Sequence, residues 1–82
     1  MSQVRILIAD DHEIVRRGLR ALLESQPEWE VVAEAVTGRD ALEKAKQTTP
    51  DVAIVDVGMP ELNGLETTRQ LLKALPQTEV LI

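Results

Sequence analysis

The 82-residue chain has no cysteine, no phenylalanine and no tyrosine, and Trp29 is its single aromatic residue. The absence of cysteine excludes a disulfide framework and thiolate chemistry, which fits a reduced, cytoplasmic setting. One aromatic cannot build the stacking platforms that hold single-stranded nucleic acid. A positive groove is missing too: nine Lys and Arg face fourteen Asp and Glu, for a formal charge of −5. Direct nucleic-acid contact by this segment is therefore not expected. The longest unbroken apolar runs, Ile6 to Ala9 and Val52 to Val55, fall far short of a signal core or a membrane span.

What is present is a globular composition, 44% apolar and 28% charged, in a chain long enough for one small domain. Such a chain hides only ~60% of the surface its unfolded form exposes, so its core is thin. Apolar runs of strand length alternate with helical patterns. Val4 to Asp10 reads as a buried strand from its length and β-branched content. Ile14, Val15, Gly18, Leu19, Leu22 and Leu23 follow at helical spacing, and Pro27 ends that helix. Trp29 to Ala35 is a second strand, and Thr37 is placed to cap a helix carrying Ala41, Leu42 and Ala45 up to Thr49-Pro50. Asp51 to Val57 is a third strand; Leu65, Thr68, Leu71, Leu72 and Leu75 form a third helical stripe, Pro76 stops it, and Glu79 to Ile82 begins a fourth strand. The order β-α-β-α-β-α-β implies right-handed crossovers and a parallel sheet with helices on both faces. No linker, low-complexity segment or second domain interrupts it.

Open α/β sheets place their sites outside the carboxyl ends of the strands, where the strand order reverses. The first strand ends in Asp10-Asp11. In the run "PDVAIVDVGMPELNGLE" a lone carboxylate, Asp56, closes the third, with the turn signals Gly58 and Pro60 behind it. A charge inside a buried strand would lose several kcal/mol of hydration, so Asp56 belongs at the wet end. If the first and third strands are neighbours, ~4.8 Å apart, three carboxylates converge. Their mutual repulsion calls for a hard cation with oxygen ligands, and Mg2+ fits, with the main-chain carbonyl of Gly58 as a further ligand. Such a site suits phosphate chemistry, because a carboxylate such as Asp56 can attack phosphorus to give an acyl phosphate. The plainer alternative makes Asp10 and Asp11 helix caps and Asp56 a turn residue.

The segments "ILIADDHEIVRRGL", "EVVAEAVTGRDAL" and "PDVAIVDVGMPELNGLETTRQL" resemble successive parts of a bacterial response-regulator receiver domain, of the subfamily that precedes LuxR-type helix-turn-helix output domains. The resemblance spans the whole chain. It implies a flavodoxin-like doubly wound sheet of order 2-1-3-4-5, with Asp56 as the phospho-acceptor, Asp11 on Mg2+ directly, Asp10 acting through a bound water, and position 58 giving only its carbonyl. It also implies a sensor histidine kinase as phosphoryl donor, and a DNA-binding output domain outside this chain. Met59-Pro60 and Asn63-Gly64 match the family's loop into the third helix, where Gly64 serves the backbone. The family's Thr or Ser after the fourth strand, aromatic on the fifth and Lys at its end have no counterpart before Ile82. Residues 1–82 are therefore expected to be the N-terminal part of one receiver domain. A bare fourth-strand edge and a sheet face stripped of a covering helix then lead one to expect self-association, as a dimer or higher oligomer.

Other residues have plainer readings. His12 is expected simply to start the first helix. Arg16, Arg17 and Arg20 are expected on its solvated face, where kinase docking is the sharper possibility, and Trp29 is expected to pack. A hydrolase with an aspartyl nucleophile, such as a phosphatase, typically wants a second acid two residues on, where this chain has Gly58. A flavodoxin-type phosphate loop would not read Asp10-Asp11-His12-Glu13. A signalling module and not an enzyme is the expected function. A degenerate receiver that only binds partners is the remaining rival.

Overall fold

The computed structural model describes residues 3–59 and 63–82. Pro60, read above as part of the loop after the third strand, lies outside the described residues. Seven elements alternate along the chain: β1 (Val4–Ala9), α1 (Glu13–Glu24), β2 (Trp29–Ala35), α2 (Gly38–Thr48), β3 (Val52–Val55), α3 (Gly64–Ala74) and β4 (Glu79–Leu81). The strands form one parallel sheet in the order β2-β1-β3-β4, as expected for the first four strands of a 2-1-3-4-5 sheet. The first and third strands are shorter than the expected Val4 to Asp10 and Asp51 to Val57, since Asp10, Asp51, Asp56 and Val57 lie outside them.

Local chemistry sets the helix ends. The Thr37 hydroxyl accepts from the Asp40 N–H at 3.0 Å, and the Asn63 side chain accepts from the Glu66 N–H at 2.9 Å. Each satisfies a donor that the first helical turn leaves without a partner. Thr49 closes α2 with φ 43° and ψ 65°, in the left-handed region. That conformation costs a β-branched residue ~1–2 kcal/mol and turns the chain sharply into β3.

Two apolar clusters lie on opposite faces of the sheet. Under α2 and α3, Leu7, Ala9, Ala35, Ala53 and Val55 pack against Ala41, Leu42, Ala45 and Leu71, with Met59 at the margin. Under α1 the cluster is smaller: Ile6, Ile8 and Val31 are buried, while Leu19, Leu23, Val52 and Ile54 are only half-buried around them. Strand β3 is thus not buried on both faces, because α1 packs over β1 and β2.

Helix α1 also corrects the expected apolar stripe. No residue of this helix is buried, and Ile14 and Leu22 are 85% and 68% exposed. Leu19 and Leu23 of that stripe do turn to the sheet, joined by Arg16 in an i, i+3, i+7 set. Glu34 of β2 is the reason: Arg16 Nε and Arg20 Nη1 reach its carboxylate at 3.1 and 2.6 Å. The Arg20 hydrogen bond, with help from Arg16, holds the Glu34 carboxyl below its ordinary range. Of the three arginines expected on the solvated face, Arg17, paired with Glu13, and Arg20, 47% exposed, lie there, whereas Arg16 does not. Trp29 is 41% exposed at the start of β2, so it packs less than its size suggested.

Candidate phosphoryl and metal site

Strands β1 and β3 run in register, with Ile6, Leu7, Ile8 and Ala9 opposite Val52, Ala53, Ile54 and Val55. The ladder continues one step further, since the Asp56 N–H donates to the Ala9 carbonyl at 2.8 Å, while the Asp10 N–H donates to the Ala35 carbonyl of β2 at 3.0 Å. Asp10 and Asp56 therefore leave adjacent strand ends together, at the point where the chain has gone to one side for β2 and to the other for β3. This is where an open α/β sheet forms its crevice.

The convergence expected from the sequence is present. One ligand atom each from Asp10, Asp11, His12 and Asp56 lie within 4.8 Å of one another. The carboxylate side chains of Asp10, Asp11 and Asp56 are 13%, 34% and 30% exposed. Asp10 is tied down most firmly: its Oδ1 accepts from both the N–H and the Nδ1 of His12, each at 2.8 Å. Its carbonyl accepts from Arg16 Nη1 at 2.8 Å. The caps of the plainer alternative are absent, since the N-cap of α1 is His12 and no side chain caps it.

Behind Asp56 the backbone folds close. The Gly58 N–H donates to Asp56 Oδ1 at 3.4 Å, and a Cβ added at Gly58 would meet nothing within 4 Å. A side chain at position 58 is thus unconstrained, in keeping with a backbone role. Gly64 is the opposite case. Its N–H donates to the Val57 carbonyl at 2.9 Å, and a Cβ there would lie 2.5 Å from both the Asp56 carbonyl oxygen and the Val57 Cα. Only glycine lets the start of α3 rest on the segment that carries Asp56.

His12 was expected to do no more than start α1. It does sit at that N-cap, and its ring also turns into the carboxylates, with Nδ1 3.2 Å from Asp11 and 3.9 Å from Asp56. The hydrogen bond to Asp10 first, then the charge of Asp11, raises the imidazole above its ordinary pKa. Adjacency in "ADDHE" was the only sequence signal for this contact.

The donor set fits Mg2+. It offers hard carboxylate oxygens at the surface, where the remaining positions of an octahedron can be filled by water, as this ion prefers.

Comparison with known proteins agrees with this geometry. The family model described as response regulator receiver domain matches residues 6–82. The transcriptional regulatory protein DegU of Brevibacillus brevis is 40% identical over 81 residues, covering 99% of this chain and 34% of that protein. A protein-glutamate methylesterase/protein-glutamine glutaminase of Carboxydothermus hydrogenoformans is 43% identical over 82 residues, covering 100% of this chain and 23% of that protein. The signal receiver domain of the response regulator NarL from Mycobacterium tuberculosis superposes with a TM-score of 0.92 at 34% identity, over 98% of this chain and 64% of that one. The chain spans about a third of the length of the first curated relatives it matches.

Proposed function

The chain belongs to the response regulator receiver domain family of two-component signalling, and from that premise we propose that Asp56 is its phospho-acceptor, with Mg2+ held by Asp10, Asp11, Asp56 and the Gly58 carbonyl. The convergence of the three carboxylates at the ends of β1 and β3 carries this reading. An Asp56 oxygen attacks the phosphorus of the donor, an O–P bond forms, and the bond from phosphorus to the donor's leaving group breaks. Bound by these residues, Mg2+ would supply countercharge for the phosphoryl oxygens. Asp10 and Asp11 keep that charge beside the nucleophile, and the Gly58 N–H steadies the Asp56 carboxylate. The donor we propose is a sensor histidine kinase, whose phosphohistidine releases a good leaving group.

Residues 1–82 are, on this reading, the N-terminal part of one receiver domain. Its phosphorylation state governs a DNA-binding output domain outside the chain, in the cytoplasm. The relatives support this, being mostly transcriptional regulators. The methylesterase is a much longer protein, and an activity of that kind is not assigned to these residues. No helix among the described residues is long and apolar enough to cross a membrane. The acidic balance supports a segment that does not itself touch nucleic acid. A degenerate receiver and an aspartyl phosphatase are the rival readings, and the full acidic set and Gly58 respectively weigh against them.

The test is where the phosphoryl group goes. A small acyl phosphate plus Mg2+ should place one acid-labile group on Asp56; an acid-stable adduct, or one on His12, would contradict the proposal. We also propose a second copy of this chain as a partner, supported by Ile14 and Leu22 on α1 and by Leu81 and Ile82, all more than half exposed. Sedimentation at micromolar concentration should show a dimer or higher oligomer of the 82-residue chain, and a compact monomer would refute it.

A further inference from the structure

We propose that Arg16 is a positioning residue for the carboxylate site: anchored by Glu34 of β2, it fixes the peptide bond between Asp10 and Asp11 and so sets where both carboxylates stand. This rests on the metal reading above and goes beyond it, because neither Arg16 nor Glu34 belongs to the donor set. The first support is that one guanidinium makes two different contacts. Arg16 Nη1 donates to the Asp10 main-chain carbonyl at 2.8 Å, while its Nε donates to Glu34 Oε1 at 3.1 Å. A peptide group is planar, so a fixed Asp10 carbonyl also fixes the Asp11 N–H and the direction in which the chain leaves Asp10. Lysine could not make both contacts, since its donors sit on one nitrogen and not along a rigid fork.

The second support is the origin of the anchor. Consecutive residues of β2 grip the two backbone groups of Asp10: the Ala35 carbonyl accepts its N–H at 3.0 Å, and Glu34 holds its carbonyl through Arg16. From the other side, Lys44 Nζ of α2 donates to the Glu34 carbonyl at 2.6 Å. The Asp10-Asp11 turn, which enters α1 without a side-chain cap, is thus braced by a strand distant in sequence. The third support is burial. Arg16 is 14% exposed, against 77% for its neighbour Arg17, and a guanidinium taken that far from water needs acceptors for its donors. Arg20 supplies an internal control: it donates to the same Glu34 carboxylate and to Glu24, but not to Asp10.

Mg2+ titration and backbone amide spectra of the metal-free protein decide the matter in the wild-type chain and in Arg16→Ala, Arg16→Lys, Arg20→Ala and Asp11→Asn. Arg16→Ala and Arg16→Lys should each weaken Mg2+ binding by roughly 10-fold, as loss of a partner that orients ligands does elsewhere. Without metal, both should move the Asp11 and His12 amide signals. Arg16→Lys keeps the charge and the stem, so it reads position in a protein that still folds. Arg20→Ala breaks a contact to the same carboxylate; it should lower the melting temperature yet leave Mg2+ affinity and those amide signals unchanged. Mg2+ affinity unchanged in Arg16→Lys, or weakened equally by Arg20→Ala, would overturn the proposal while leaving the Mg2+ site standing. Mg2+ binding that is absent, or indifferent to Asp11→Asn, would overturn the metal reading itself, and the metal-free signals then decide the role of Arg16: Asp11 and His12 amides that stay in place in Arg16→Lys would overturn it.

Discussion

Asp56→Asn should abolish phosphoryl uptake from a small acyl phosphate in the presence of Mg2+, with the fold intact. The amide keeps the size of the carboxylate and can still accept from the Gly58 N–H, but its oxygen is no longer an anionic nucleophile. The ladder contact from residue 56 to Ala9 is made by the backbone and survives the change. One fewer negative charge beside Asp10 and Asp11 also relieves repulsion, so the variant's melting temperature without metal should be unchanged or higher. Intact-mass measurement after incubation with the donor reads the result. Persistent uptake of one phosphoryl group by Asp56→Asn would move the acceptor elsewhere in the chain.

The second large effect is expected at Gly64. Replacing it by Ala puts a Cβ 2.5 Å from two backbone atoms of the Asp56–Val57 segment, and neither is the flexible end of a side chain. Either α3 lifts off or the segment behind Asp56 shifts, at a cost of ~3 kcal/mol or more. Thr67 and Leu71, fully buried on α3, lose their seats in the first case; Mg2+ affinity falls in the second. Gly18 is the control. A Cβ there meets nothing within 4 Å, and Ala inside an exposed helix should stabilise by ~0.5–1 kcal/mol. Chemical denaturation of both variants checks the pair: a Gly64→Ala protein as stable as wild type would show that the close approach is dispensable.

Much of this was legible in the sequence, for reasons that differ by element. Ile6 to Ala9 and Val52 to Val55 announce central parallel strands because apolar neighbours lie over both faces, fully on β1 and partly on β3, so neither face selects polar residues. The convergence of Asp10, Asp11 and Asp56 followed once β1 and β3 were taken as neighbours, since the site needs only strand ends and strand order. The face of α1 was misread because Ile14, Val15 and Leu22 have helical spacing whether or not the sheet meets them. What turns the helix is a long-range pair: Glu34, a polar residue inside an apolar strand, draws in Arg16 and Arg20. A polar residue in β2 and two arginines four apart were both visible, but nothing local joins them. The His12 contact is local, to Asp10 and Asp11 at 2.8 and 3.2 Å, but adjacency alone does not say which way a ring at a helix N-cap turns.

The most direct measurement is a Mg2+ titration followed on the ring resonances of His12, the only histidine in the chain and one already in contact with the carboxylates. In the wild-type protein the ring signals should shift saturably as the ion enters the cluster, and the imidazole pKa should fall toward its ordinary value as Asp10 and Asp11 turn to the metal. Asp11→Asn should weaken this binding by about 10-fold or more. Ring signals indifferent to Mg2+, or an affinity unchanged by Asp11→Asn, would contradict a cation site at the ends of β1 and β3.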